Sequence, residues 1–185
     1  MKAFKTVIIL KHPRPLVWAT MRDHLSELAA LVDDLESITE QSREEAPEGR
    51  VRLVNLWAAR PKIPSVLQGV LTPAMLRWTD RAEYDPQKWE CRWRIEPHFG
   101  GERTRCEGVT TYEPALGGAG ARVTFEGSLE INARGLPGVP SFLDSTLGSA
   151  VESFLTALIP GNFRKLTNAL ETHLEQAARP TGAGG

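Results

Sequence analysis

The sequence predicts an α+β fold: a curved, seven-stranded antiparallel sheet with two short helices, wrapped around one long C-terminal helix. Three observations carry it. Six β-patterned runs follow one another from residue 35 to residue 134 with mostly short turns between them. A further β-branched run opens the chain, and the C-terminal part carries an apolar stripe at helical spacing from Leu143 to Leu174. Strands joined by tight turns form a meander, and an amphipathic helix of that length needs a broad apolar surface to cover.

Taken in order, Ala3 to Lys11 is the first strand. Pro13 and Pro15 stop it and preset the backbone for a helix start, so a short helix is expected from Leu16 to Met21. A second runs from Leu25 to Val32, with Leu25, Leu28, Ala29 and Val32 on one stripe and His24 at the break. Leu35–Glu44, Arg50–Arg60, Met75–Tyr84, Trp89–Phe99, Thr104–Glu113 and Arg122–Arg134 are the remaining strands. Pro47–Gly49, Asp85–Pro86, Gly100–Gly101 and Gly117–Gly120 separate them. The one long connection, Pro61 to Pro73, holds four helix- and strand-breaking residues. After Gly135–Pro140 the closing helix runs to about Ala178 along Leu143, Leu147, Val151, Phe154, Leu155, Leu158, Phe163, Leu166, Leu170 and Leu174. Pro160–Gly161 is expected to interrupt the helix and kink it, since proline removes a backbone hydrogen bond.

The chain has 185 residues, 41% of them apolar and 24% charged, which suits one soluble globular domain. Residues 1–178 are expected as that domain and 179–185, which hold no core residue, as a flexible tail. Twenty-two Lys and Arg face 23 Asp and Glu. A nucleic-acid binder needs a basic stripe, and this balance argues against one. The longest apolar stretch near the N-terminus, Val7 to Leu10, is far short of a membrane span and lacks the flanks of a secretory signal. A cytoplasmic location follows as the expectation. Five tryptophans stand against two tyrosines, an unusual surplus.

The element order, Pro15-x-x-Trp18 at the opening of the first helix, and Val151-Glu152-x-Phe154 with Asn162-Phe163-Arg164-Lys165-Leu166 in the last together resemble the START-like, birch-pollen-allergen-like (SRPBCC) helix-grip superfamily. That superfamily includes polyketide cyclase/dehydratase and lipid-transport branches. The resemblance covers about residues 3 to 176 and implies a sheet and C-terminal helix enclosing a hydrophobic cavity.

Hairpin pairing gives the faces. If the Asp85–Lys88 turn pairs Tyr84 with Trp89, then Ala82 opposes Cys91, Asp80 opposes Trp93 and Trp78 opposes Ile95. A next turn centred between His98 and Phe99 sets Trp93 opposite Thr104, Cys91 opposite Cys106 and Trp89 opposite Gly108. Because side chains alternate, Trp78, Asp80, Ala82, Tyr84, Trp89, Cys91, Trp93, Ile95, Thr104, Cys106, Gly108 and Tyr112 share one face. Arg77, Arg81, Glu83, Glu90, Arg92, Arg94, Glu96, Arg105 and Glu107 share the other, and read as solvated cross-strand ion pairs. Of the tryptophans, only Trp18 stands apart from the aromatic set. That set is either plain core or the wall of an apolar pocket; taken with the resemblance, it reads as a wall. Gly108 beneath Trp89 leaves room for a bulky neighbour.

Asp80 is the polar group on that wall. Buried, it would find a donor or keep its proton; alternatively a bulge turns it to solvent. Trp78, Trp93, Thr104, Tyr112 and Asn55, which shares parity with Leu53 and Trp57, are the candidate donors. The ligand-binding set expected is Asn55, Trp57, Trp78, Asp80, Tyr84, Trp89, Trp93, Thr104 and Tyr112 from the sheet, with Phe154 and Leu158 from the closing helix. The Pro61–Pro73 loop either packs over the core or gates the cavity, together with Leu136 to Phe142. Cys91 and Cys106 read as small hydrophobes rather than a disulfide. His12, His24, His98 and His173 are dispersed in sequence without ligand spacing, so no metal is expected. No nucleophile elbow, phosphate loop or cofactor motif appears.

The function expected is binding or transport of a hydrophobic small molecule (a lipid, a sterol-like compound or a polyketide), compatible with transient membrane contact. The alternative is an aromatase/cyclase or dehydratase acting on a polyketide-like substrate, with Asp80, Tyr84 and Tyr112 as acid–base groups. It is the weaker reading because no histidine or glutamate shares that face. A co-chaperone role would need an exposed apolar patch, against which the charged outer face argues.

Overall fold

The computed structural model describes residues 1–60, 62–68, 71–72, 75–98, 104–131 and 144–178. Strand β1 is Lys2–Leu10, followed by helices α1 (Arg14–Asp23) and α2 (Leu25–Ala29). Strands β2 (Leu35–Glu45), β3 (Val51–Ala59), β4 (Arg77–Asp85), β5 (Glu90–Pro97), β6 (Thr104–Ala115) and β7 (Gly120–Ile131) precede helix α3 (Asp144–Ala178). The strands form one antiparallel sheet in the order β1-β7-β6-β5-β4-β3-β2. Consecutive strands from β2 to β7 are neighbours, through short connections everywhere but between β3 and β4; β1 then closes the far edge beside β7. Two irregularities in β2, after Leu35 and after Glu40, bend that edge strand.

Local chemistry explains the helix starts. Pro13 is the N-cap of α1 and Pro15 lies in its first turn, where a missing N–H costs nothing. His24 ends α1 and begins α2 with a non-helical backbone. Helix α3 crosses the inner face of the sheet, burying Val151, Phe163, Leu166, Ala169, Leu170 and Leu174. The helix is continuous through Pro160, which corrects the expected interruption. Replacing Pro160 by Ala restores the backbone hydrogen bond that proline removes. The variant is expected to gain about 1–2 kcal/mol, read as a raised urea midpoint at unchanged slope, because the recovered bond exceeds the chain-entropy advantage proline confers.

The two faces are as expected. Arg52–Glu83 (2.7 Å), Arg81–Glu96 (3.0 Å) and Arg105–Glu107 (2.6 Å) pair on the outer face. The registers differ from those expected. Trp78 meets Pro97, Asp80 meets Ile95, Ala82 meets Trp93 and Tyr84 meets Cys91, a displacement of two residues. Asp85 Oδ1 accepts from the backbone N–H of Gln87 and Lys88, and Trp89 adopts a left-handed backbone at φ 55°. The turn is therefore Pro86–Trp89, closed by the Asp85–Glu90 pair. Between β5 and β6 the displacement is four: Trp93 faces Gly108, Cys91 faces Thr110 and Ile95 faces Cys106. That pairing is symmetric about Gly100–Gly101, which lie outside the described residues. Both displacements are even, so parity, and with it the face of every residue that stays in a strand, survives; Trp89, in the turn, is the exception.

Cys91 and Cys106 are consequently not cross-strand partners; both are buried free thiols. Gly108 lies under Trp93 rather than Trp89. Gly127 stands beside Gly108 in the same row, and a Cβ there would sit 2.5 Å from Trp93 Cη2. The indole lies across two glycines because nothing larger fits beneath it. From it an aromatic stack reaches the helix: Trp93–Phe125 at 4.8 Å and Phe125–Phe163 at 4.3 Å between ring centroids.

Of the long connection, Ile63, Leu67 and Leu71 are buried in the core, and Ser65–Leu67 forms a single 3-10 turn. Leu136 to Phe142 and the tail 179–185 lie outside the described residues. Among the described residues, no helix is long and apolar enough to cross a membrane.

Candidate functional site

Between the inner face of the sheet and α3 lies a cavity of about 80 Å³. Its sheet wall includes Trp57, Trp78, Asp80, Tyr84, Trp93 and Tyr112, six of the eleven residues expected. Ile159, Asn162, Phe163 and Leu166 form the helix side. Trp57 and Trp78 are direct partners in the β3–β4 ladder and stack at 5.4 Å. Cross-strand aromatic pairs of this kind stabilise a sheet while presenting a flat apolar surface.

Asp80 points inward. No bulge interrupts β3–β4 or β4–β5 at this position, so alternation carries the carboxyl to the buried face. Asn55 is its partner across the ladder and is 2% exposed. Burial raises the Asp80 pKa to about 7, because a carboxylate loses its hydration in an apolar wall. The Asn55 amide and the Trp57 indole stand close enough to pull the other way, yet neither nitrogen meets an acceptor in hydrogen-bonding geometry. Burial outweighs their pull and sets the direction of the shift.

Four buried donors among the described residues on or beside this wall lack a partner: Asn55 Nδ2, Trp57 Nε1, Trp93 Nε1 and Asn162 Nδ2; the acceptor Asn162 Oδ1 does as well. Unpaired buried polar atoms are rare and costly. Two of them, on Asn55 and Trp57, stand beside the Asp80 carboxyl, and Trp93 and Asn162 line the same largely apolar cavity. The arrangement can hydrogen-bond an oxygen-bearing group and exchange a proton with it near neutral pH. Tyr84 and Tyr112 do not add acid–base capacity. Burial pushes both phenols well above their usual pKa, and Tyr84 Oη donates to the Met21 carbonyl at 3.2 Å. Burial likewise raises the Cys91 thiol, and the Cys106 thiol to about 12.

Of the other five expected residues, Asn55 stands beside Asp80 without lining the cavity, and four are elsewhere. Trp89 packs edge-on against Trp18 at 5.4 Å, with the Arg14 guanidinium 3.8 Å over its ring. Trp18 in turn meets Tyr84 and Tyr112 edge-on at 5.2 and 5.0 Å, so it belongs to the aromatic set rather than standing apart. The left-handed backbone of Trp89 turns the ring towards α1, and alternation no longer governs a residue outside the strand. Thr104, paired with Ile131 at the start of β6, lies away from the cavity. Phe154 and Leu158 also lie off its lining. The inward stripe of α3 follows Val151, Leu155, Ile159, Asn162 and Leu166, at spacings of three and four residues. Ile159 and Asn162 were missing from the expected set; Asn162 is polar on an apolar face, and that was the available signal. A second correction concerns the histidines. His24 and His173, 149 residues apart, lie with ring centroids 5.6 Å apart.

No family model matches the chain, and no curated protein does. Solved structures match along its full length. TTHA0849 from Thermus thermophilus is 21% identical, with a TM-score of 0.68 over 96% of this chain and 100% of its own. The ZhuI aromatase/cyclase from Streptomyces sp. R1128 is 17% identical, with a TM-score of 0.69 over 99% of each chain. A START superfamily protein from Mycobacterium smegmatis is 14% identical, with a TM-score of 0.54 over 95% of this chain and 99% of its own. At such identities the likeness establishes the fold: this chain has the helix-grip fold.

Proposed function

We propose that the protein binds a hydrophobic small molecule between the sheet and α3, with an oxygen-bearing end of that molecule seated at Asp80. The observation that supports this is the set of unpartnered polar atoms on Asn55 and Trp57, beside a buried carboxyl, and on Trp93 and Asn162, which line the same cavity. A ligand oxygen would satisfy donors that the protein leaves unpaired, and the tryptophans would cover its apolar part. The cavity of about 80 Å³ is small beside the roughly 300–1,000 Å³ of drug-sized ligand pockets. It suits the polar end of a lipid, sterol-like compound or polyketide.

Native mass spectrometry of protein purified from its own host is expected to show a bound apolar compound, and the stripped protein to take up a fluorescent fatty acid. A clean apo spectrum together with no uptake would overturn the reading. One observation favours a second reading, an aromatase/cyclase or dehydratase: a carboxyl with a pKa of about 7 is half-ionised at neutral pH and serves as either acid or base. In that case a poly-β-keto substrate is converted at a rate that collapses in Asp80→Asn, whereas a carrier returns it unchanged.

A further inference from the structure

A second cluster lies on the surface where α2 meets α3, built from residues that no part of the ligand site uses. His24 occupies the junction of α1 and α2, and Glu27 follows three residues later on the same helical face. His173 comes from the C-terminal half of α3. His24 Nδ1 stands 2.8 Å from Glu27 Oε1, and His173 Nε2 stands 3.7 Å from Glu27 Oε2. One donor atom from each residue falls within 4.8 Å of the others.

We propose that His24, Glu27 and His173 form a binding site for a late first-row divalent cation of the Zn²⁺ type, which staples α2 to α3. Two imidazoles and one carboxylate are the donor set such ions take, with a fourth position left to solvent or to an anion. Bonds of about 2.0–2.1 Å at tetrahedral angles place donor atoms roughly 3.3 Å apart. His24 at 2.8 Å from Glu27 Oε1 and His173 at 3.7 Å from Glu27 Oε2 each stand near that spacing, on different oxygens of the one carboxylate. The widest separation, at most 4.8 Å, closes by rotation of side chains that are not locked in the core: His24, Glu27 and His173 are 45%, 54% and 24% exposed. The backbone beneath is fixed, since Leu28 and Leu170 are fully buried and Leu25 and Leu174 nearly so. A rigid scaffold with adjustable donors is what a small-amplitude coordination site requires. Hard cations are disfavoured, because Ca²⁺ and Mg²⁺ take oxygen ligands and two of the three donors here are nitrogens.

The site predicts its own readout. The full chain, stripped with EDTA and titrated with zinc chloride in a calorimeter, is expected to bind one Zn²⁺ with a micromolar dissociation constant. Its melting temperature should rise as zinc is added, because the ion binds only where α2 and α3 are docked. Cobalt in place of zinc should give the visible band of a low-symmetry, four-coordinate site. His24→Gln and His173→Gln should each weaken zinc binding by roughly tenfold or more, since losing one of three ligands exceeds the loss of an outer-shell partner, which costs about 10–100-fold. His12→Gln should leave it unchanged. No heat and no melting shift up to millimolar zinc would overturn the proposal. So would binding that survives both His24→Gln and His173→Gln, which would place the ion elsewhere. None of these outcomes depends on the interior cavity or on what it binds.

Discussion

Asp80→Asn is expected to make the protein more stable above neutral pH and to flatten the pH dependence of its unfolding. The Asp80 carboxyl has a folded pKa of about 7 against an unfolded value near 3.9. Between these two values the folded state holds a proton that the unfolded state has released, so stability falls as pH rises through that window and levels off above about pH 7. The difference of about three units corresponds to roughly 4 kcal/mol between pH 4 and pH 8. Solvent does not screen the carboxyl, because the group is buried. Asparagine reproduces the shape of the protonated acid and carries no charge at any pH. Urea titrations at pH 5, 6, 7 and 8 should show the wild-type midpoint declining and the variant's staying level, with the curves diverging most at pH 8. Parallel curves would mean that Asp80 is hydrated or well paired in solution. The same pair of proteins tests the site: if Asp80 holds the ligand's polar end, affinity for the fluorescent fatty acid should vary between pH 5 and 8 in the wild type and not in Asp80→Asn.

Gly108→Ala is expected to be the most damaging single-methyl change in the sheet. A Cβ at this position would overlap Trp93 Cζ2 and the Glu126 carbonyl oxygen, and would come within 2.7 Å of Gly127 Cα. Two of those neighbours are backbone atoms of the adjacent strand, which cannot swing aside as a flexible side chain does. Overpacking of a close-packed core typically costs about 1–3 kcal/mol, and with backbone on one side a loss of roughly 3 kcal/mol is expected, measured as a drop in the urea midpoint. Trp93→Phe in the Gly108→Ala background should recover only part of it, since trimming the indole leaves the Glu126 and Gly127 contacts in place. Full recovery would show that the glycine serves the ring alone; no loss at all would show that β6 and β7 separate easily there.

Much of the architecture was legible in the chain. Period-two alternation from residue 77 to residue 113 separated an aromatic face from a charged one, and both even displacements of register left that separation intact. The same alternation, carried by an uninterrupted strand, brought Asp80 inside. Proline and glycine marked most of the turns, and the apolar spacing along residues 151–174 marked the closing helix. The sequence resemblance to the helix-grip superfamily matched the fold that the solved structures share with this chain.

Other features depend on where the chain leaves a strand or meets a distant segment. Trp89 left the cavity wall because one positive φ at the β4–β5 turn released it from alternation and turned it to Trp18. Pairing partners shifted because register follows the turn's hydrogen bonds, here those of Asp85, and not residue counting. Asn162 and Ile159 replaced Phe154 and Leu158 because the rotation of a helix about its own axis is set by what it packs against. His24 and His173 came together only through the docking of α2 on α3, a contact across 149 residues that no local pattern encodes. The amino-acid order by itself determined which residues share a face, since alternation and helical period are local properties of the backbone. The tertiary structure alone decided which of those residues surround one cavity and which histidines meet, since these are set by the packing of segments far apart in the chain.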